Sequence, residues 1–139
     1  MPGGGAVVIG QDGHANVAMI RQAAGPHRFT LTQDGEANRL DARQDGAGDG
    51  TGSMSVAQSG SGNTATLDQL VMGGGINAMV LSQDGTDNQA MIRQDGSDLQ
   101  ASVTQVGAGN QASLMQLGSA LGIALSQTGG AVVSIVQSR

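Results

Sequence analysis

The sequence has no cysteine, no tryptophan, no tyrosine and no lysine, and a single phenylalanine, Phe29. Without cysteine there are no disulfides and no thiol chemistry. Without aromatic anchors, and with apolar residues at only 38 % of the chain, an ordinary globular core is not available. Charged residues are also scarce, at 12 %, which is too few for a chain held open by its own charge. The six cations are all arginine, they are scattered, and the net charge is −5. No basic stripe exists, so nucleic acid is not an expected partner. No apolar run approaches the about 20 residues of a transmembrane helix. Ala6–Ile9 is too short for the apolar part of a signal peptide, so any secretion signal is expected to have been removed. Proline appears twice in 139 residues, while glycine appears 24 times.

What is present is a repeat. Glutamines fall at Gln11, Gln22, Gln33, Gln44, Gln58, Gln69, Gln83, Gln94, Gln105, Gln116, Gln127 and Gln137, with gaps of 11, 11, 11, 14, 11, 14, 11, 11, 11, 11 and 10. An eleven-residue period in a helix gives a right-handed coiled coil. In an extended chain it is one side of a solenoid turn. Glycine stands two places after glutamine in nine of the first eleven cases, and each would cost a helix about 1 kcal/mol. The helical reading therefore fails.

Alternation supports strands, whose side chains point to opposite faces with period two. Asn88, Ala90, Ile92 and Gln94 share one parity; Gln89, Met91 and Arg93 share the other. The same small or apolar set returns as Asn16-Ala18-Ile20-Gln22, Asn63-Ala65-Leu67-Gln69 and Asn110-Ala112-Leu114-Gln116, and at Asn38 as Leu40 then Ala42. The intervening half-repeats carry mostly bulkier pairs: Phe29/Leu31, Met54/Val56, Met79/Leu81, Ala101/Val103 and Ile123/Leu125, with Val7/Ile9 in the same class. Large side chains facing small ones let two layers interdigitate. The spacing predicts an all-β chain: a parallel β-solenoid of about six 22-residue turns in two stacked sheets. Residues 5–139 form this single domain, after a disordered segment at 1–4. The two gaps of 14 both join a small-residue strand to the next large-residue one, so both extra arcs emerge from one edge of the stack.

Buried amides are expensive unless paired. In register at about 4.8 Å, each can bond the one above it, forming a ladder. The twelve glutamines are expected to form such ladders together with Asn16, Asn38, Asn63, Asn88 and Asn110, and to fix register, since a one-residue slip would expose them all. Glycine after glutamine is expected to supply the positive φ of a tight corner. Asp12, Asp34, Asp45, Asp84 and Asp95 sit beside these corners, as solvated turn residues or as a charge brake on aggregation.

Catalytic and metal constellations are missing from the pattern. His14 and His27 are the only histidines, without further ligands at metal spacing. Serine has no credible His/Asp pairing. No catalytic residues, metal site or cofactor are expected, and the chain does not read as an enzyme.

The ends carry the functional expectation. A solitary solenoid caps its terminal coils. Here Val7, Val8 and Ile9 form one terminal strand, and Val132, Val133, Ile135 and Val136 belong to the other, with no charge until Arg139. Open edges of that kind template another chain, and a head-to-tail contact that does not close makes a fibre. The alternative is a monomeric β-solenoid adhesin, binding glycan, ice or another surface. An ice face needs stacked threonines, and Thr30/Thr32 and Thr64/Thr66 lie on opposite strand types.

The pattern Gln-x-Gly-x-x-Asn-x-Ala-x-x-x-Gln resembles the curlin repeat of bacterial curli fibres. It stands here as Gln11-Gly13-Asn16-Ala18-Gln22, Gln58-Gly60-Asn63-Ala65-Gln69, Gln83-Gly85-Asn88-Ala90-Gln94 and Gln105-Gly107-Asn110-Ala112-Gln116. The family commonly has serine six places before glutamine, where this chain has Gly5, His27, Gly52, Asn77, Leu99 and Leu121. The resemblance implies a left-handed β-solenoid and a secreted functional amyloid: an extracellular, cell-surface fibre subunit serving biofilm and adhesion. It implies as partners the chain itself, a second curlin-type nucleating subunit and an outer-membrane secretion channel.

Overall fold

The computed structural model describes residues 4–46 and 48–139; residues 1–3 of the expected disordered segment lie outside that range. Twelve strands follow one another: β1 (Ala6–His14), β2 (Val17–Gln22), β3 (Arg28–Glu36), β4 (Arg39–Gly46), β5 (Thr51–Ser61), β6 (Thr64–Val71), β7 (Ile76–Thr86), β8 (Gln89–Ser97), β9 (Gln100–Ala108), β10 (Gln111–Ser119), β11 (Gly122–Thr128) and β12 (Val132–Ser138). Odd strands form one sheet in the order β1-β3-β5-β7-β9-β11, and even strands form the other, β2-β4-β6-β8-β10-β12. Every pairing is parallel. Parallel neighbours require a crossover, and here the opposite sheet provides it. This is the β-solenoid of six rungs that the spacing predicts, and Gln83 pairs with Gln105 on the next rung.

The core is the space between the sheets. Phe29, Leu31, Met54, Val56, Met79 and Leu81 from one side meet Leu40, Ala42, Ala65, Leu67, Ala90 and Ile92 from the other, all buried. Bulk is thus concentrated in the odd sheet, and the alanines of the even sheet leave room for it.

One local expectation is corrected. Glycine does not make the corner by itself. Gly13, Gly35, Gly60 and Gly85 have positive φ (95°, 107°, 102° and 121°), yet strand pairing runs past them to His14, Glu36, Ser61 and Thr86. The chain reverses at the residue before each asparagine, where Ala15, Ala37, Gly62, Asp87 and Gly109 are all left-handed, with φ of 56°, 55°, 67°, 54° and 68°. The N–H groups of the last four bond the rung below, as in Ala37 N to His14 O and Gly62 N to Glu36 O. Rung-to-rung bonding therefore continues around the bend.

Alanine in that conformation is strained by about 1–2 kcal/mol. Ala37 is exposed, so its methyl group returns little packing. Ala37→Gly is expected to stabilise the fold by somewhat under 1 kcal/mol, after the larger entropy glycine loses on folding. A raised denaturant midpoint is the measurement. A lowered one would mean that the methyl packs.

The two longer arcs lie on one edge and stack on each other, with Gly46 beside Val71 and Thr51 beside Ile76. Val71 fills the enlarged turn and is fully buried. Asn77 closes it, donating from Nδ2 to Leu70 O and Gly96 O at 3.1 Å each.

Candidate functional site

The candidate site is the set of axial columns and the places where they stop. In the odd sheet Gln11 donates to Gln33, and Gln33 Nε2 donates to Gln58 Oε1 (2.7 Å), Gln58 to Gln83 (2.8 Å), Gln83 to Gln105 (2.8 Å) and Gln105 to Gln127 (2.9 Å). In the even sheet Gln22, Gln44, Gln69 and Gln94 each donate at 2.9 Å to the next glutamine, and Gln116 donates to Gln137 at 3.3 Å. Both ladders run toward the C-terminal rung.

Main-chain carbonyls set that direction. The second amide proton crosses to the opposite sheet, as in Gln58 to Arg39 O (3.1 Å), Gln83 to Thr64 O (3.2 Å) and Gln105 to Gln89 O (2.9 Å). A carbonyl can only accept, so each Nε2 must face it. The ladder glutamines from Gln33 to Gln105 thereby tie rung to rung and sheet to sheet.

The asparagine column runs the other way. Asn38, Asn63, Asn88 and Asn110 donate from Nδ2 to the Oδ1 of the preceding asparagine, at 3.2, 3.0, 3.0 and 2.9 Å. That same Oδ1 also accepts the main-chain N–H of the next asparagine, at 3.0–3.2 Å. Each Nδ2 also donates to the carbonyl four residues back in its own rung, and four of them bridge corners: Asn16 to Gly35 O, Asn38 to Gly60 O, Asn63 to Gly85 O and Asn88 to Gly107 O, at 2.9–3.1 Å. The glycine and asparagine columns are therefore one hydrogen-bonded unit. Among the described residues no buried side-chain N or O atom lacks a partner.

A further column, six places before each odd-sheet glutamine, lies on the opposite edge. Gly5, His27, Gly52, Asn77, Leu99 and Leu121 occupy one place in successive rungs. His27 is buried, and its Nδ1 accepts the Gly52 N–H at 3.0 Å, which places its proton on Nε2 when neutral. Gly25, Gly46 and Gly52 enclose the ring so closely that a Cβ on any of them would meet it within about 3 Å. The only sequence signal was a histidine where its neighbours in the column have glycine.

The corner aspartates are solvated groups that also bond locally. Asp12 and Asp45 accept the N–H of the glycine that follows, each at 2.8 Å. Asp45 and Asp95 pair with Arg43 (3.0 Å) and Arg93 (3.4 Å). The Arg43 hydrogen bond and the Gly46 N–H hold the Asp45 carboxyl below its ordinary pKa. No group of three or more His, Cys, Asp or Glu placed to hold a metal occurs among the described residues.

At the ends the columns stop abruptly. Val7 and Ile9 stack on Phe29 and Leu31 but are 44 % and 50 % exposed, where Phe29 and Leu31 are buried. Ala18 and Ile20, and at the far end Ile123, Leu125, Val133 and Ile135, are only partly buried. Val8, Val132 and Val136 point to the outer faces and are largely exposed. β11 and β12 carry no charge along their length; Arg139, which follows β12, donates its N–H to Leu117 O.

The family model for the curlin associated repeat matches the chain twice, over residues 77–107 and 96–129. No curated protein and no solved structure matches it. The matched stretch runs from β7 to β11, and its glutamine and asparagine columns, with the glycine column of the odd sheet, continue in register into β5 and β6 and on toward β1. Residues 77–129 thus carry the curlin associated repeat, and the rungs before them are built on the same columns.

Proposed function

We propose that the chain is the structural subunit of an extracellular curli-like amyloid fibre, polymerising head to tail to build biofilm matrix and surface adhesion. The observation that carries this reading is the unfinished state of both end rungs. No described residue donates to Gln11 Oε1 or Gln22 Oε1, which face the N-terminal side. Gln137 is the last member of its ladder on the C-terminal side. Gln137 Nε2 at one end and Gln22 Oε1 at the other are complementary, and partly open apolar columns lie beside them; Gln127 Nε2 already donates to Gln111 O (2.9 Å) and Ala131 O (3.0 Å). A second copy placed with Gln11 over Gln127 and Gln22 over Gln137 would extend every strand and bury Val7 and Ile9 against Ile123 and Leu125. The other proposed partners, a curlin-type nucleating subunit and an outer-membrane secretion channel, come with the family.

The ice-binding form of the alternative gains nothing from the outer faces. No threonine pairs with a threonine in either sheet among the described residues. Concentrated protein is expected to form unbranched filaments with a repeat of about 4.8 Å along the axis and a subunit height of about 29 Å, six rungs. Discrete particles in electron micrographs at high concentration would overturn the proposal.

A further inference from the structure

The six rungs are not equivalent at the asparagine corner. Four asparagines, from Asn16 to Asn88, each reach a glycine carbonyl on the next rung. Asn110 does not: beyond its bond to Asn88 its Nδ2 donates only to Val106 O (3.0 Å). The corner above it, Thr128–Ala131, is one residue shorter than its counterpart at 106–110. Its glycine stacks differently as well. A Cβ on Gly85 would lie 2.0 Å from Gly107 O, whereas a Cβ on Gly107 would meet Gly129 N at 3.3 Å. Ala131 occupies the asparagine place, since its N–H donates to Asn110 Oδ1 (3.1 Å) and its carbonyl accepts from Gln111 N (2.7 Å). It keeps the main-chain bonds of the column and ends the side-chain one.

From this we infer that the junction between copies is the weakest rung-to-rung contact in the fibre. The inference rests on the head-to-tail reading and concerns the same two ends. Inside the chain the Oδ1 atoms of Asn16, Asn38, Asn63 and Asn88 each accept two bonds from the rung above, one from the main chain and one from Nδ2, whereas Asn110 Oδ1 accepts only the Ala131 N–H. At the junction the incoming Asn16 meets the Ala131 methyl, so its N–H and Nδ2 find no side-chain oxygen there. The even-sheet glutamine ladder and the apolar columns cross the junction; the asparagine column does not. Subunit release and filament breakage therefore occur between copies rather than within them, and the partner this surface fits is the N-terminal rung of a second copy of the same chain.

Ala131→Asn supplies the missing oxygen without changing the length of the corner. Two hydrogen bonds of about 1 kcal/mol each are regained, so labelled fibrils on dilution are expected to release subunits at least about tenfold more slowly than the parent. A second variant replaces residues 128–131 with a copy of 106–110, restoring corner length and asparagine together, and is expected to slow release at least as much. Parent filaments that form, with release equal to or slower than that of both variants, would overturn the inference and leave the head-to-tail reading standing. A parent chain that forms no filaments would overturn both.

Discussion

Gly60→Ala is expected to prevent the stack from forming. A Cβ at residue 60 would lie 2.0 Å from the Gly85 carbonyl oxygen and 2.9 Å from its carbon, both main-chain atoms of the adjoining rung that no side-chain rotation can move aside. The φ of +102° adds strain of its own. Displacing the rung would also pull Gly60 O away from Asn38 Nδ2, now 3.1 Å distant, and would strain the Asn63 bond to Gly85 O. The total exceeds about 3 kcal/mol, in the range reserved for backbone incompatibility and broken buried networks. The expected result is loss of the β spectrum by circular dichroism under conditions where the parent shows it, and of filaments in micrographs. Gly10→Ala is the control. Its Cβ would meet nothing nearer than Leu31 O at 4.0 Å, and its stability should match the parent or slightly exceed it. A Gly60→Ala chain that folds and assembles normally would show that the glycine column does not govern how closely the rungs approach.

The glycine column also shows where sequence reasoning reaches its limit. An eleven-residue spacing of glutamine, broken by two insertions on one edge and a final gap of 10, determines which residues share a column, and the two-sheet solenoid follows from it. Alternation determines which side chains face inward: Ala90 and Ile92 are buried while Met91, between them, is exposed. What spacing cannot carry is direction along the axis. An amide has a donor and an acceptor end, so a column of glutamines can run either way. The choice is made by carbonyls such as Thr64 O and Gln89 O, which come from the opposite sheet. The position of the corner was hidden for a related reason. Glycine at residue 60 signals positive φ, but the reversal falls on the residue before asparagine, where Ala15, Ala37 and Asp87 carry no conformational signal at all. His27 and Asn77 were obscured because their column has no common chemistry; only packing against the adjoining glycines and carbonyls gives them a place. Ala131 left one trace, a final gap of 10 instead of 11, and its consequence appears only once the hydrogen bonds of Asn110 are followed upward.

Gln83→Glu is the second large effect, and it separates the ladder's chemistry from its shape. Glutamate is nearly isosteric, so packing at this buried position is retained. Its carboxylate can still accept from Gln58 Nε2, as Gln83 Oε1 does at 2.8 Å. It cannot donate to Gln105 Oε1 (2.8 Å) or to Thr64 O (3.2 Å), and it places a charge among carbonyl oxygens with no cation in contact. Burial and those oxygens disfavour ionisation, so the folded-state pKa is raised above the unfolded value of about 4.3. The sign follows from linkage. Below about pH 4.3 the carboxyl is protonated in both states, its O–H can donate to one of the two acceptors, and the variant is expected to lie within about 1–2 kcal/mol of the parent. As pH rises above that value the unfolded chain ionises first, and stability falls until the folded-state pKa is passed. At pH 7 the loss is on the order of 4 kcal/mol. Gln83 itself does not titrate, so the difference between variant and parent midpoints should open steadily between pH 4 and pH 7. Gln83→Leu is expected to lose stability by the same amount at both values, because it removes the hydrogen bonds without adding a charge. Equal denaturation midpoints for Gln83→Glu and the parent at pH 7 would mean that the interior is wet enough to solvate a carboxylate, and the ladders would then be ornaments of a stack held by its main chain.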